Sequence, residues 1–303
     1  MPLVQAKCTN CGATIPVDNV KDAAICPYCG SAFIVEKAIN NYNVTNNIQA
    51  GVVNFYGTTN DFDVRGGVLI KYNGVSMQPV IPDTVVKIGE FAFSGSMISS
   101  VVIPDTVISI GESAFNRCDN LKEITLPGGI KNLESGVFSS CKNLVRVALP
   151  ERIPHIENNM FCGCTSLTSF NIPEGVTSIG NSAFRNCCNL ASVILPNSLK
   201  KIGMWAFENT GLLSIEIPTG VGVIEGYAFS RCYNLNEAKI PTHYLANIDI
   251  SYDDCMGYVF WESPVATKVL ATVRRLKHLC VYCGSSSVKR NGRCTSCGKK
   301  NVF

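Results

Sequence analysis

Val102–Pro127 reads V-I-P-D-T-V-I-S-I-G-E-S-A-F-N-R-C-D-N-L-K-E-I-T-L-P, and Asn171–Pro196 reads N-I-P-E-G-V-T-S-I-G-N-S-A-F-R-N-C-C-N-L-A-S-V-I-L-P. The two stretches are one pattern written twice. Its anchoring prolines are Pro82, Pro104, Pro127, Pro150, Pro173, Pro196, Pro218 and Pro241, 22 or 23 residues apart. A fixed period of that length is the signature of a solenoid, in which one coil cannot bury its apolar face without its neighbours.

The columns of the repeat say what each position does. Phe93, Phe115, Phe138, Phe161, Phe184, Phe207 and Phe229 recur at one place, each after a small or apolar residue such as Ala114 or Met160. Val107, Ile130, Ile153, Val176 and Leu199 form a second column, and Ile110, Leu133, Ile156, Ile179 and Ile202 a third. Stacked coils place like residues above one another, so these columns predict one continuous core. Burial of each Phe contributes roughly 1.5–3 kcal/mol. The L-x-x-[VIF]-x-[IL]-P run alternates and is rich in branched residues, so it reads as a short strand that ends at proline. The V-x-x-I-G run reads as a second strand. Gly89, Gly111, Gly180 and Gly203 are expected in a turn with positive φ. The A-F-x-x-C segment is expected to be a helical turn. At about 4.8 Å per coil, eight coils give a rod of roughly 40 Å.

Fourteen residues after the prolines stand Cys118, Cys141, Cys164, Cys187, Cys232 and Cys255, with Ser96 and Thr210 in the 22-residue coils. Redox or metal chemistry is one reading of this column. The preferred reading is a small buried side chain, since free Cys is among the most buried residue types.

The repeated I-P-x-x-V-x-x-I-G-x-x-A-F-x-x-C-x-x-L pattern resembles BspA-like leucine-rich repeats over Asp61 to Cys255. That resemblance implies a right-handed curved solenoid with strands on its concave side, used for protein recognition. It supplies no catalytic residue. Some members are surface adhesins. The first residues here, Met1 to Cys8, show no basic-then-apolar export pattern. No run of 18 apolar residues predicts a transmembrane helix. The chain is therefore expected in the cytoplasm, where its sixteen cysteines are reduced thiols or metal ligands.

Two C-x-x-C-G pairs open the chain and two close it. Cys8, Cys11, Cys26 and Cys29 are one tetrahedral thiolate set, and Cys280, Cys283, Cys294 and Cys297 another. Each predicts a closed zinc ribbon, with Ala13 to Val20 and Ser31 to Val35 as strands of the first. A four-thiolate site leaves no open position, so the two Zn²⁺ ions are expected to be structural.

The organisation that follows is a zinc ribbon (1–37), an Asn-rich segment (38–60), an N-terminal cap (61–79), the repeats (80–241), a C-terminal cap (242–262), a basic helix (263–279) and a second zinc ribbon (280–303). The fold class is a β-rich leucine-rich-repeat solenoid of short strands and helical turns with two zinc-ribbon modules. The Asn-rich segment is read either as extended β structure or as a partly ordered linker. In the N-terminal cap, Val68–Tyr72 alternates and Asn73-Gly74 signals a hairpin turn. Tyr244, Tyr252, Tyr258, Phe260 and Trp261 are expected to cover the last coil. Ser263-Pro264 starts the basic helix as N-cap and first helical residue. Val265, Val269, Thr272, Val273, Leu276 and Leu279 share its apolar face.

Charge separates the ends of the chain. The formal charge is +3, yet the last forty residues hold nine cations and no acid, leaving a net −6 on the rest. With Zn²⁺ on four thiolates the tail still carries about +7. Outward strand positions form three columns. They are Val102, Thr125, Ala148, Asn171, Ile194, Glu216, Lys239; Ser100, Glu123, Arg146, Ser169, Ser192, Ser214, Glu237; and Ser99, Lys122, Val145, Thr168, Ala191, Leu213, Asn236. They offer no aromatic ladder for bases and no basic stripe for phosphate. A protein partner suits that face, and a solvated face is the other reading. The sequence holds no G-x-S-x-G, phosphate-binding loop or H-E-x-x-H motif. His155, His243 and His278 stand apart from acids and nucleophiles. The expectation is a non-catalytic protein-interaction scaffold with no membrane role. The alternative is nucleic-acid binding through the basic helix and second ribbon.

Overall fold

The computed structural model describes residues 61–247 and 259–276, Ser296 and Lys299, and four short strands near the N-terminus. The chain divides into two compact units, Met1–Asp61 and Phe62–Phe303. In the first unit, β1 (Leu3–Lys7) pairs antiparallel with β2 (Thr14–Asp18). β3 (Ala23–Ile25) pairs antiparallel with β4 (Ala32–Ile34). In sequence, Cys8 follows β1 and Cys26 follows β3, so each C-x-x-C connects the two strands of a hairpin.

The second unit is the solenoid. Strands β7 (Lys87–Ile88), β8 (Ser109–Ile110), β10 (Asn132–Leu133), β12 (His155–Ile156), β14 (Ser178–Ile179), β16 (Lys201–Ile202) and β18 (Val223–Ile224) come from the V-x-x-I runs. Strands β9 (Glu123–Thr125), β11 (Arg146–Ala148), β13 (Ser169–Asn171), β15 (Ser192–Ile194), β17 (Ser214–Glu216) and β19 (Glu237–Lys239) come from the runs that end at proline. Like strands pair in parallel with like residues in register, Ile110 opposite Ile88 and Val193 opposite Phe170, and the second set pairs two by two, β9 with β11, β13 with β15 and β17 with β19. The first ladder breaks between β10 and β12. Elsewhere along it the residue two before the strand's Ile donates its N–H to the preceding coil, as Ile108 does to Val86 O at 3.0 Å and Lys131 to Ile108 O at 2.9 Å. Pro154 holds that place in the broken coil and has no N–H to give.

The A-F-x-x-C segment is a run of reverse turns rather than the expected helical turn. Two residues in every coil hold left-handed backbone, flanking the Phe on either side: Ser113 (φ 53°) and Arg117 (φ 55°) around Phe115, Ser182 (φ 56°) and Asn186 (φ 60°) around Phe184. A right-handed helix cannot pass through them. Donors alternate along the segment. Phe115 gives its N–H to Val137 O of the next coil at 2.9 Å, while Asn116 closes a turn onto Ser113 O at 3.0 Å. Every second amide thus bridges coils, which makes a third ladder without a strand.

The glycines of the I-G step need room, not positive φ. A Cβ on Gly89 would lie 2.6 Å from Leu69 O, and one on Gly203 would lie 2.8 Å from Asn181 N. The backbone of one coil crosses the glycine of the next too closely for a side chain.

The core is one column of rings. Phe62, Tyr72, the seven repeat phenylalanines and Phe260 stack in sequence with centroids 5.0–5.7 Å apart. The seven and Phe260 are fully buried. The N-terminal cap is a hairpin of β5 (Phe62–Arg65) and β6 (Val68–Tyr72). Its turn is Gly66-Gly67, both left-handed, rather than Asn73-Gly74.

The C-terminal cap departs from strict counting. Phe260, not Tyr252, takes the last seat in the Phe column. Ser263, not Cys255, takes the matching seat in the Cys column, donating its hydroxyl to Phe229 O at 2.6 Å. It also accepts the Cys232 N–H at 3.1 Å, so its side chain serves the coil beneath instead of capping a helix. The cap helices are α1 (Thr242–Asn247) and α2 (Ala266–Leu276). Val265, Val269 and Val273 are buried, whereas Leu276 is 37% exposed.

Candidate interaction surface

Outward strand residues follow from the period-two pleat of β9 to β19. In β13, β15 and β17 the central Phe170, Val193 and Ile215 are buried, and both neighbours face out. Ser169, Ser192 and Ser214 therefore form an exposed row, with Asn171, Ile194 and Glu216 beside it. Four branched apolar residues stand in this polar face: Val102 (59% exposed), Val145 (52%), Ile194 (62%) and Leu213 (57%). The backbone at each of them is hydrogen-bonded to a neighbouring coil. A partner that covers these side chains gains burial without ordering the scaffold.

The Cys column points the other way. Cys118, Cys141, Cys164, Cys187 and Cys232 are completely buried. Each thiol donates to the carbonyl of a Phe one coil below: Cys118 to Phe93 O at 3.2 Å, Cys141 to Phe115 O at 3.0 Å, and Cys164, Cys187 and Cys232 to Phe138, Phe161 and Phe207 O at 3.1 Å. Burial pushes the Cys164, Cys187 and Cys232 thiols up from the ordinary thiol range. A protonated, hydrogen-bonded thiol is a packing group and not a nucleophile.

A third feature lies on the turn face of the later coils. Arg185 sits over the Trp205 ring, 5.7 Å from its centroid, and Trp205 stacks on Tyr227 at 6.2 Å. Arg185 Nε lies 2.6 Å from Glu208 Oε2 without an aligned N–H···O contact, so the pair is held by charge. Glu208, itself buried, faces Arg231 at 3.8 Å. Arg231 Nε donates to Glu262 at 3.3 Å, and the Tyr233 hydroxyl donates to the same carboxylate at 3.1 Å. Trp205, Tyr227 and Arg231 hold left-handed backbone at φ 56°, 60° and 55°. Seats of that kind cost about 1–3 kcal/mol each for bulky residues, whereas glycine, asparagine or serine fills most of them elsewhere in the stack.

Residues 72–187 and 154–252 match the model of the BspA type leucine rich repeat region in six copies. This chain belongs to the BspA-type leucine-rich repeat family. No curated protein matches it. Among solved structures, it is similar to a leucine rich cell surface protein from Faecalibacterium prausnitzii A2-165, at 31% identity and a TM-score of 0.54, covering 62% of this chain and 56% of that one. It is also similar to the T. pallidum leucine rich repeat protein, at 28% identity and a TM-score of 0.53, covering 59% of this chain and 90% of that one. This chain thus spans little more than half the length of the F. prausnitzii protein.

In this BspA-type solenoid, the eight cysteines expected to hold zinc, from Cys8 to Cys29 and from Cys280 to Cys297, lie outside the described residues. So do the Asn-rich segment and five of the nine cations of the basic tail. Among the described residues no cluster of His, Cys, Asp or Glu could hold a metal ion. No helix among them is long and apolar enough to cross a membrane. A further expectation fails. His155 does not stand apart, for its Nδ1 lies 2.8 Å from Ser178 Oγ. The two are 23 residues apart, one coil, and the repeat spacing was the signal that could have found them. The pair lies at the surface on the neighbouring strands β12 and β14.

Proposed function

We propose that this chain is a non-catalytic protein–protein interaction scaffold. The observation that carries the reading is the outward strand face, where Val102, Val145, Ile194 and Leu213 stand more than half exposed among small polar side chains. Trp205, Tyr227 and Arg231 add the residue types that anchor interfaces. Structural Zn²⁺ at Cys8, Cys11, Cys26 and Cys29, and at Cys280, Cys283, Cys294 and Cys297, is part of the proposal. The donor set fits: β1–β2 and β3–β4 are hairpins that each bracket a C-x-x-C pair, as a ribbon requires. We place the protein in the cytoplasm, a compartment in which the seven free cysteines among the described residues stay reduced. The F. prausnitzii relative is described as a cell surface protein, so cell fractionation decides this point.

The test is affinity capture from native lysate, with and without nuclease, using the wild-type chain and an Ile194→Glu/Leu213→Glu variant. Partners that survive nuclease and are lost with the variant support the scaffold. Partners that vanish with nuclease transfer the function to the basic tail and nucleic acid. Freshly purified protein should carry zinc at a metal-to-protein ratio of about two. A ratio near zero removes both ribbons.

A further inference from the structure

Neighbouring coils are joined along three ladders, one through each strand set and one through the turns. The first strand ladder is open at one place, between β10 and β12. The second is open between β11 and β13 and again between β15 and β17. The two ladders are open together at one junction, where coil 127–149 meets coil 150–172. At the other gap of the second ladder, β14 still pairs with β16, and Leu213 still gives its N–H to Ala191 O at 3.2 Å.

The amides missing from the double gap are known from their counterparts. Glu134 donates to Ile110 O at 3.0 Å and Gly180 to Ile156 O at 2.7 Å, but Glu157, at the same place in the coil between, makes no such bond to Leu133. Val145 donates to Lys122 O at 2.8 Å and Ala191 to Thr168 O at 2.9 Å, but Thr168 makes no such bond to Val145. Pro154 has no N–H to offer Lys131 O, which is the acceptor its place in the repeat requires. Packing agrees with the hydrogen bonds. Ile124, Phe170, Val193 and Ile215 are buried at the centre of their strands, whereas Val147 in β11 is only half-buried. Leu149 and Leu195, at the two open places of the second ladder, are half-buried where Leu126, Ile172 and Ile217 are buried.

The turn side of the same junction is complete. Gly136, Phe138 and Ser140 give their N–H groups to Asn158, Met160 and Cys162 O at 2.8, 3.0 and 2.6 Å. Ser166 donates to Lys142 O at 3.0 Å, and the Cys164 thiol to Phe138 O at 3.1 Å. The Phe138 and Phe161 rings stay stacked at 5.7 Å. A junction fastened along one of its three sides turns about that side. In a stack held by nearest-neighbour interfaces, the least-bonded interface is where the stack divides.

We infer that the solenoid is two rigid blocks, the coils up to residue 149 and those from residue 150 onward, which pivot about the turn ladder, and that Pro154 is what frees the strand side. This is hinge motion placed inside a repeat stack. Val102 and Val145 stand on the first block, Ile194 and Leu213 on the second. Within a block the backbone is already ordered. A partner covering both pairs therefore selects the angle between the blocks, a consequence that rests on the reading of this face as an interface.

The test is native-state hydrogen exchange on the full chain, in urea below its unfolding transition, read amide by amide by electron-transfer fragmentation. Protection is expected to be lost in two steps, with the boundary between residues 149 and 150. Without urea, the Glu157 and Thr168 amides should exchange at least about ten-fold faster than Gly180 and Ala191, which hold the same places one coil on. Pro154→Thr copies Thr177 of the next coil and returns an N–H to Lys131 O. It should merge the two steps and slow the Glu157 amide. The pivot is overturned by a single step across the wild-type junction, or by Glu157 and Thr168 as protected as Gly180 and Ala191. Two steps that persist in folded Pro154→Thr overturn the role of the proline. The chain is measured without a partner, so these failures leave the interface at Ile194 and Leu213 standing, and loss of that interface leaves the pivot standing.

Discussion

The two ends of the solenoid are closed by different chemistry. At the N-terminal end the first coil needs acceptors, and the β5–β6 hairpin supplies backbone carbonyls: Gly67 O for Val86 N–H at 2.8 Å and Leu69 O for Gly89 N–H at 2.8 Å. Tyr72 and Phe62 continue the ring column over Phe93. At the C-terminal end the last coil presents both donors and acceptors. Val259 and Trp261 carbonyls take the Phe229 and Arg231 amides. The Tyr244 hydroxyl donates to Ile224 O at 3.3 Å, Lys268 to Asn236 O, and Ser263 to Phe229 O. The direction of hydrogen bonding sets this difference. Strand amides point mostly backward along the chain, so a contiguous hairpin can finish the first end, whereas the other end requires separate groups for each ladder.

The largest expected effect tests how much each end depends on its terminal ring. Phe260→Ala should cost about 3–5 kcal/mol in urea denaturation, because its fully buried ring is the cover on Phe229. Phe62→Ala should cost clearly less, since Tyr72 still lies on Phe93. Equal losses would mean that the two ends are closed alike. Next is Ser263→Ala, which leaves the buried Cys232 N–H without its acceptor and should cost about 1–3 kcal/mol. Ser263→Cys should recover part of it by restoring the donor found in five coils below.

Gly67→Ala probes the backbone-built end. Gly67 is left-handed at φ 78°, and the new Cβ would meet Val86 Cγ2 at 2.9 Å. A loss of about 1–2 kcal/mol is expected from the helical-hand penalty alone. The smallest effect at neutral pH belongs to the thiols between the ends. Their folded pKa is raised above the unfolded value near 9, so their contribution is intact below that pH. Above it the unfolded thiols ionise first, and stability should fall as pH rises. Alkylation read by mass spectrometry should label exposed Cys188 at once and Cys164, Cys187 and Cys232 only on unfolding.

Particular residues show where sequence reasoning held and where it stopped. The Phe and Cys columns and the outward strand columns were legible, because a fixed period puts identical neighbours above and below each position. Pro154 was visible, but its consequence was not, since a missing amide matters only once the ladder it interrupts is known. The left-handed seats of Trp205 and Tyr227 had no sequence mark, as serine, glycine and asparagine at the same place do not announce a shared φ. Asn73-Gly74 is a stronger isolated hairpin signal than Gly66-Gly67 but sits outside the strands that pair.

Length, period and residue columns by themselves determined a BspA-type stack with a buried Phe spine, an inert thiol column and an outward polar face set with Val102, Val145, Ile194 and Leu213. These features repeat, so each coil reports on the next. Only the tertiary structure decided that Phe260 and Ser263 close the columns, that His155 touches Ser178, and that Lys268 reaches the Asn236 carbonyl. Those contacts join residues brought together by the ends of the stack, where the repeat no longer supplies its own neighbour.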